Sequence, residues 1–174
     1  LHLSKKKKRV SHLLTSLDIT CIKTAVYHTM LSFLEEHRLQ GRSWDLGILV
    51  LVSLYAERYG RFLFWQELYP ILDVQDDKRR QYNRLKGQWR VLLKIKRPSF
   101  EESLKGWINK GIRSYKILGS ELIRIVRYRD LVLQARQQSK SGHTTARLYA
   151  AAILYLVLKT QGQTQKSIAS FYRC

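Results

Sequence analysis

The sequence predicts an all-α chain built as two tandem helical modules, and three observations predict it. Breakers are rare, with 2 prolines and 9 glycines among 174 residues. Apolar residues recur at three- and four-residue spacing along most of the chain. Two segments, Leu46 to Ala56 and Leu148 to Leu158, are apolar on nearly every face, the mark of helices packed among other helices. An apolar fraction of 45% with 11% aromatics supplies a globular core. The length allows one ordinary domain or two small ones.

Residues 1–9 carry Lys5, Lys6, Lys7, Lys8 and Arg9 in one run. Five adjacent cations repel one another and are expected to form a solvated basic arm. The run fits a nuclear localisation signal or a DNA-contacting arm, and equally a plain tail. Asp18 has the chemistry of an N-cap, and Ile19, Ile22, Val26, Met30 and Phe33 then recur at helical spacing to about His37. Leu39-Gln40-Gly41 ends that helix, and Ser43 or Asp45 caps the next. In the apolar segment that follows, Ile48, Val50 and Val52 would also suit a buried strand. The distance of about 15 residues between Ser43 and Gly60 selects helix. A short helix is expected from Phe62 to about Leu72, and a long one from Asp76 to Lys96 with Tyr82, Leu85, Trp89, Leu92 and Leu93 on one face.

The other face of that long helix carries Arg80, Arg84, Arg90 and Lys94. Between Lys78 and Arg97 there are nine basic residues and no acid. Like charges four apart destabilise a helix, so a solvated face normally mixes signs. Unmixed charge points to phosphate contact, with a plain basic face as the alternative. Pro98 separates the halves. After it come a helix from Phe100 to Leu118, one capped by Ser120 and running to about Ser139, a turn at Ser141-Gly142-His143-Thr144, and the second apolar helix from about Ala146 to Thr160. Arg124, Arg127, Arg129 and Arg136 continue the excess of positive charge.

The formal charge of +19 and a pI near 10.2 favour a polyanionic partner, nucleic acid before anionic membrane. Cys21 and Cys174 are the only cysteines, and the five histidines form no HxxxH or HExxH pair, so no metal site or disulfide scaffold is legible. Gly162 to Ser167 contains a Lys-Ser pair without Walker spacing. Acids are too sparse for an obvious acid/base pair, and no catalytic residue is assigned. The apolar runs of 11 residues fall short of the roughly 20 that span a bilayer. Neither a secretory signal nor a small-molecule substrate site is expected. The chain opens at Leu1 with no Met before Met30, as a fragment would.

The two apolar helices belong to a repeat. Gly41-Arg42-Ser43 precedes the first, which ends near Gly60 and is followed by Gln66-Glu67-Leu68. Gly142-His143-Thr144 precedes the second, which ends near Gly162 and is followed by Thr164-Gln165-Lys166-Ser167-Ile168. The segment GHTTARLYAAAILYLVLKTQGQTQKSIA resembles the second cyclin repeat of transcription factor IIB and its archaeal counterparts. HRLQGRSWDLGILVLVSLYAERYGRFLFWQEL is similar to the first repeat, and KGQWRVLLK to its fifth helix. The resemblance covers about residues 10 to 172. The chain departs from the family pattern in two ways: Leu, Val and Ile replace Ala in the first central helix, and His143 and Thr145 stand where the family favours Arg and Pro. Low Glu content sets it apart from hyperthermophile members, and its divergence resembles an early-branching, trypanosomatid-type version.

The resemblance implies two tandem cyclin-like repeats of about five helices each, over residues 10–97 and 98–174, with the second repeat incomplete at its C-terminus. It implies a non-enzymatic, nuclear, general transcription initiation factor. Such a factor binds promoter DNA with a TATA-binding-protein-like partner and recruits an RNA polymerase, expected to be polymerase II. By this resemblance the loop of Gly41, Arg42 and Ser43 approaches the DNA minor groove, and His143 occupies the corresponding place in the second repeat. The family's zinc ribbon would lie before Leu1, so no cofactor is expected in this segment. Two other readings stay open: a cyclin-type kinase regulator, which the charge opposes, and a basic helical RNA-binding protein, which it suits. In the fold reading Leu49, Val52, Ala151 and Leu154 are buried, and a β-sheet through residues 46 to 56 would overturn it.

Overall fold

The structure, a computed structural model, describes residues 2–36, 43–138 and 145–173. It divides into two compact units, Leu1–Arg97 and Pro98–Cys174. Among the described residues all regular structure is helical.

The first unit contains α1 (His2–Ser16), α2 (Lys23–Glu36), α3 (Ser43–Arg58), α4 (Trp65–Leu68) and α5 (Arg79–Leu92), with 3₁₀ turns at Thr20–Ile22, Tyr69–Leu72 and Asp76–Lys78. It is built around α3. Every side chain from Leu46 to Leu54 is at most 3% exposed, so α3 has no solvent face along this stretch. A helix with no polar stripe gains nothing from water on any side, and α2 and α5 both pack on it. Around it lie Val10, Leu13 and Leu14 of α1, Ile22, Val26 and Met30, and Trp65, Leu68, Tyr82 and Trp89. The Tyr82 ring lies 4.9 Å from that of Trp65.

The second unit contains α6 (Phe100–Tyr115), α7 (Ser120–Gln138), α8 (Ala146–Leu158) and α9 (Gln165–Tyr172). Here α8 is central, and α6, α7 and α9 all pack on it. Local chemistry sets the starts of these helices. Ser99 and Glu102 form a reciprocal capping box, with the Glu102 amide 3.1 Å from Ser99 Oγ and the Ser99 amide 2.6 Å from the Glu102 carboxylate. Thr145 and Thr164 cap α8 and α9 through their hydroxyls. Gly111 lets α6 approach closely: a Cβ there would meet the side chains of Leu154 and Tyr172. Neither can retreat. Leu154 is wholly buried, and the buried Tyr172 hydroxyl donates to the Trp107 carbonyl at 2.7 Å.

Leu49, Val52, Ala151 and Leu154 are buried as expected, and residues 46 to 56 are helical. Three boundaries differ from the sequence reading, each for a reason at a helix end. The expected basic arm is helical from His2 on, as the first half of α1, because Val10, Leu13 and Leu14 anchor that helix in the core. Asp18 ends α1 rather than starting the next helix. It adopts the left-handed conformation (φ 52°), with its amide on Thr15 O and the Ile19 amide on Leu14 O, the Schellman pattern. Lys94 repeats this at the end of α5, where the Ile95 amide bonds Arg90 O and Ile95 turns into the core. The expected helix from Asp76 to Lys96 is therefore a 3₁₀ turn followed by 14 residues of α5, and Leu92 is 54% exposed instead of lying on the buried stripe.

The helices follow each other in the same order in both units. Helices α6 to α9 start 97 to 103 residues after α1 to α4, against 101 residues between Gly41 and Gly142. The expected outcome at the α6–α8 contact is specific: Gly111→Ala should overpack it and destabilise the second unit by about 1–3 kcal/mol. Thermal or urea unfolding of the purified chain measures this, and an unshifted midpoint would mean that the helices part at no cost.

Candidate nucleic-acid interface

The cations of α5 separate into two sets according to what lies beneath the helix. Tyr82 and Trp89 are buried against the core and Leu85 packs beside them, which fixes the rotation of α5. Lys86 and Arg90, one turn apart, then point at α3, where Glu57 accepts from both. These three side chains are only 12–17% exposed, so water screens the cluster weakly. Arg80 and Arg84 leave the opposite side, Arg79 opens the helix, and all three are exposed with no carboxylate partner among the described residues. Past the helix end Lys94, Lys96 and Arg97 are exposed as well.

The expected phosphate face of Arg80, Arg84, Arg90 and Lys94 is thus corrected at two positions. Arg90 belongs to the interior, because Glu57 arrives from a helix 33 residues earlier that periodicity within α5 does not reveal. Lys94 is itself the left-handed residue after α5, exposed but off the helical register of Arg80 and Arg84. Arg79, not singled out from the sequence, joins them at the start of α5. On the helical wheel it falls on the Lys86 side, seven residues before it, and it is exposed at the first residue of α5.

The five cations of α1 are also divided. The Lys6 ammonium sits 3.2 Å from the centre of the Trp44 ring. Arg9 pairs with Asp45 at 3.0 Å and donates to the Leu72 carbonyl at 3.1 Å. Burial pushes the Asp45 carboxyl up from its ordinary value, against the opposing Arg9 charge and with a small further push from Asp73. The Lys7 carbonyl accepts from the Tyr27 hydroxyl at 2.9 Å. Beside it Ser4, Lys7, Lys8, Ser11 and Tyr27 line an open hollow of about 550 Å³. Lys5 and Lys8 are exposed, Lys8 at the edge of this hollow.

In the second unit Arg124 donates to the Leu156 carbonyl at 3.2 Å, and Arg127 is exposed. Arg129 pairs with Asp130 at 2.8 Å, and the Arg136 guanidinium stacks 3.6 Å from the Phe100 ring centre. Gly41, Arg42 and His143 lie outside the described residues, and of Ser43 the structure gives only that it opens α3. Among the described residues no three of His, Cys, Asp and Glu gather as a metal site would need. No helix among them is long and apolar enough to cross a membrane.

What the arrangement can do is bind polyanions without chemistry, through guanidinium groups presented in register on a rigid helix. The inner set has a separate consequence. Glu57→Ala leaves Lys86 and Arg90 facing each other with little solvent, and is expected to cost about 3 kcal/mol. Asp45→Asn removes a carboxylate whose ionised form the fold already disfavours, so its cost at neutral pH should stay within about 1 kcal/mol. Chemical denaturation of the two variants beside the wild type checks both values, and equal losses would deny the distinction. Comparison of the chain with protein-family models, curated proteins and solved structures gives no match.

Proposed function

We propose that this chain is the core of a transcription-factor-IIB-like initiation factor. In this reading the two units are cyclin-like repeats that bind promoter DNA together with a TATA-binding-protein-like partner and hold RNA polymerase at the start site. The protein acts in the nucleus and works by bridging, without catalysis. Its phosphate contacts fix orientation and leave sequence to other readers. The observation that carries the proposal is that four helices of each unit start 97 to 103 residues apart, each set with a largely apolar helix at its centre, with unpaired arginines along the first unit. The quoted resemblance of both repeats supplies the rest. A basic helical RNA-binding protein would show the same arginines, so charge alone does not choose between the two.

Two measurements test the proposal. A TATA-binding-protein homologue should co-purify with the tagged chain from nuclear extract treated with nuclease. Its absence, with RNA recovered instead, would favour the RNA reading. The salt dependence of duplex binding tests the face itself. Each neutralised phosphate contributes a slope of about −0.9 in log affinity against log salt. Replacing Arg79, Arg80 and Arg84 by Gln should therefore flatten the slope by about 2 to 3 units, similarly on every duplex. Arg90→Gln should leave the slope alone and lower stability instead. An unchanged slope in the folded triple variant would move the DNA contact away from α5.

A further inference from the structure

Two consecutive cations, one further residue and a serine occur twice in the sequence, as Lys8-Arg9-Val10-Ser11 and as Lys96-Arg97-Pro98-Ser99. The fold treats the two copies differently. The first lies inside α1, where Arg9 pairs with Asp45 and Ser11 is partly buried. The Tyr27 proton goes to the Lys7 carbonyl, so the Ser11 hydroxyl spends its own proton on the Tyr27 oxygen at 2.8 Å. The second copy falls in residues 95–99, which carry no regular structure. Pro98 keeps them so, since its ring bars the residue before it from the helical region. Ser99 itself is extended, with φ −61° and ψ 168°. Lys94, Lys96, Arg97 and Ser99 are all exposed, and none of the three cations meets a carboxylate among the described residues. Ser99 Oγ accepts from the Glu102 amide at 3.1 Å, and its hydroxyl proton meets no acceptor among the described residues.

We propose that Ser99 is a phosphorylation site for a serine kinase whose substrate cleft reads basic residues ahead of its target. Cations two and three residues before the serine, with a third at Lys94, fit a cleft lined with carboxylates, where an acidic segment would be repelled. Access comes from the extended backbone up to Ser99. Beyond it the first turn of α6 has to fray, which its exposed Glu101 and Glu102 oppose little. In the transfer the Ser99 oxygen bonds the γ-phosphorus of MgATP and the bond from that phosphorus to the β,γ-bridging oxygen breaks. ADP leaves, and the hydroxyl proton passes to the kinase's catalytic aspartate. The product carries about two negative charges at neutral pH. They offset most of the charge of Lys94, Lys96 and Arg97, and they sit at the start of α6, where the helix dipole and the Glu102 amide favour an anion. The Glu102 carboxylate, held 2.6 Å from the Ser99 amide, is repelled in turn, so the reciprocal capping box gives way to an electrostatic cap. Ser99 can accept phosphate whatever the chain binds, so the modification does not rest on the initiation-factor reading.

The full chain, incubated with MgATP and the catalytic subunit of cyclic-AMP-dependent protein kinase, tests this, with the modified residues mapped by mass spectrometry. Phosphate is expected at Ser99 and not at Ser11. The isolated peptides of residues 6–14 and 94–102 should both accept it, because neither is folded. Lys96→Ala/Arg97→Ala should slow transfer to Ser99 about tenfold. Ser99→Ala and Ser99→Asn should both abolish transfer to this segment. Asn keeps a cap for α6, so a loss in that variant with unchanged circular dichroism is not a loss of fold. A chain that takes no phosphate at Ser99 would overturn the proposal, and the 94–102 peptide would then show whether the fold or the sequence refuses it. Equal transfer to Ser11 and Ser99 in the folded chain, or transfer to Ser99 that ignores the loss of Lys96 and Arg97, would overturn it as well.

Discussion

The position of Glu57 determines more of the first unit than any other polar group. It sits where α3 and α5 meet and accepts from Lys86 and Arg90 together, so two of the α5 cations are consumed inside the fold. That contact and the burial of Tyr82 and Trp89 fix one rotation of α5 about its axis. Once the rotation is fixed, Arg80 and Arg84 have nowhere to point except outward. Arg80 and Arg84 stand four apart with like charge, an arrangement that weakens a helix by a few tenths of a kcal/mol. Lys86 and Arg90 have the same spacing, but there the repulsion is relieved from within. At Arg80 and Arg84 it is left for solvent or a ligand to relieve. A polyanion lying along this face would therefore both gain from the cations and relax the helix that carries them.

The helix ends give the fold its corners, and they do so with few glycines. Asp18, Lys94 and Lys116 occupy left-handed positions at the ends of α1, α5 and α6, where Gly would sit without strain. Each is followed by a buried isoleucine: Ile19, Ile95 and Ile117. The apolar residue returning to the core enforces the turn and overrides the backbone preference of the residue before it. At Arg61 the polar side of this logic appears. Its guanidinium reaches the carbonyls of Leu17 and Asp18 at 3.4 and 3.3 Å, tying the end of α1 to the segment after α3.

Much of this was legible in the sequence because it depends on local pattern. The apolar runs around Leu49 and Leu154 read as buried helices once their length is weighed against a strand, whereas the caps Ser99, Thr145 and Thr164 emerge only from the structure. What the pattern could not supply is what lies opposite a side chain. A wheel drawn for residues 79–92 puts Arg90 beside the apolar stripe, but whether it meets water or a carboxylate depends on Glu57, on another helix. The same holds for the basic run of α1. Charge repulsion argued for a solvated arm, while Trp44 and Asp45 turn Lys6 and Arg9 into packing residues. Leu92 and Lys94 were misplaced for a different reason. Nothing in a periodic reading says that Lys will accept a left-handed φ, and only the pull of Ile95 into the core decides it.

The two units thus solve one problem differently. Each must surround an apolar helix that presents no polar face. The first does so with α2 and α5 packed on α3, and α5 then carries its surplus charge outward, since its inner side is committed to Tyr82, Trp89 and Glu57. The second brings α6 closer, through Gly111, and locks it with the Tyr172 hydroxyl on the Trp107 carbonyl. That close approach covers the Leu154 side of α8. The cations of this unit are largely engaged: Arg136 on Phe100, Arg129 on Asp130 and Arg124 on the Leu156 carbonyl. In the first unit Arg80 and Arg84 face outward four residues apart on α5, with Val91 exposed on the same side, so that helix offers a pair of guanidinium groups to phosphates.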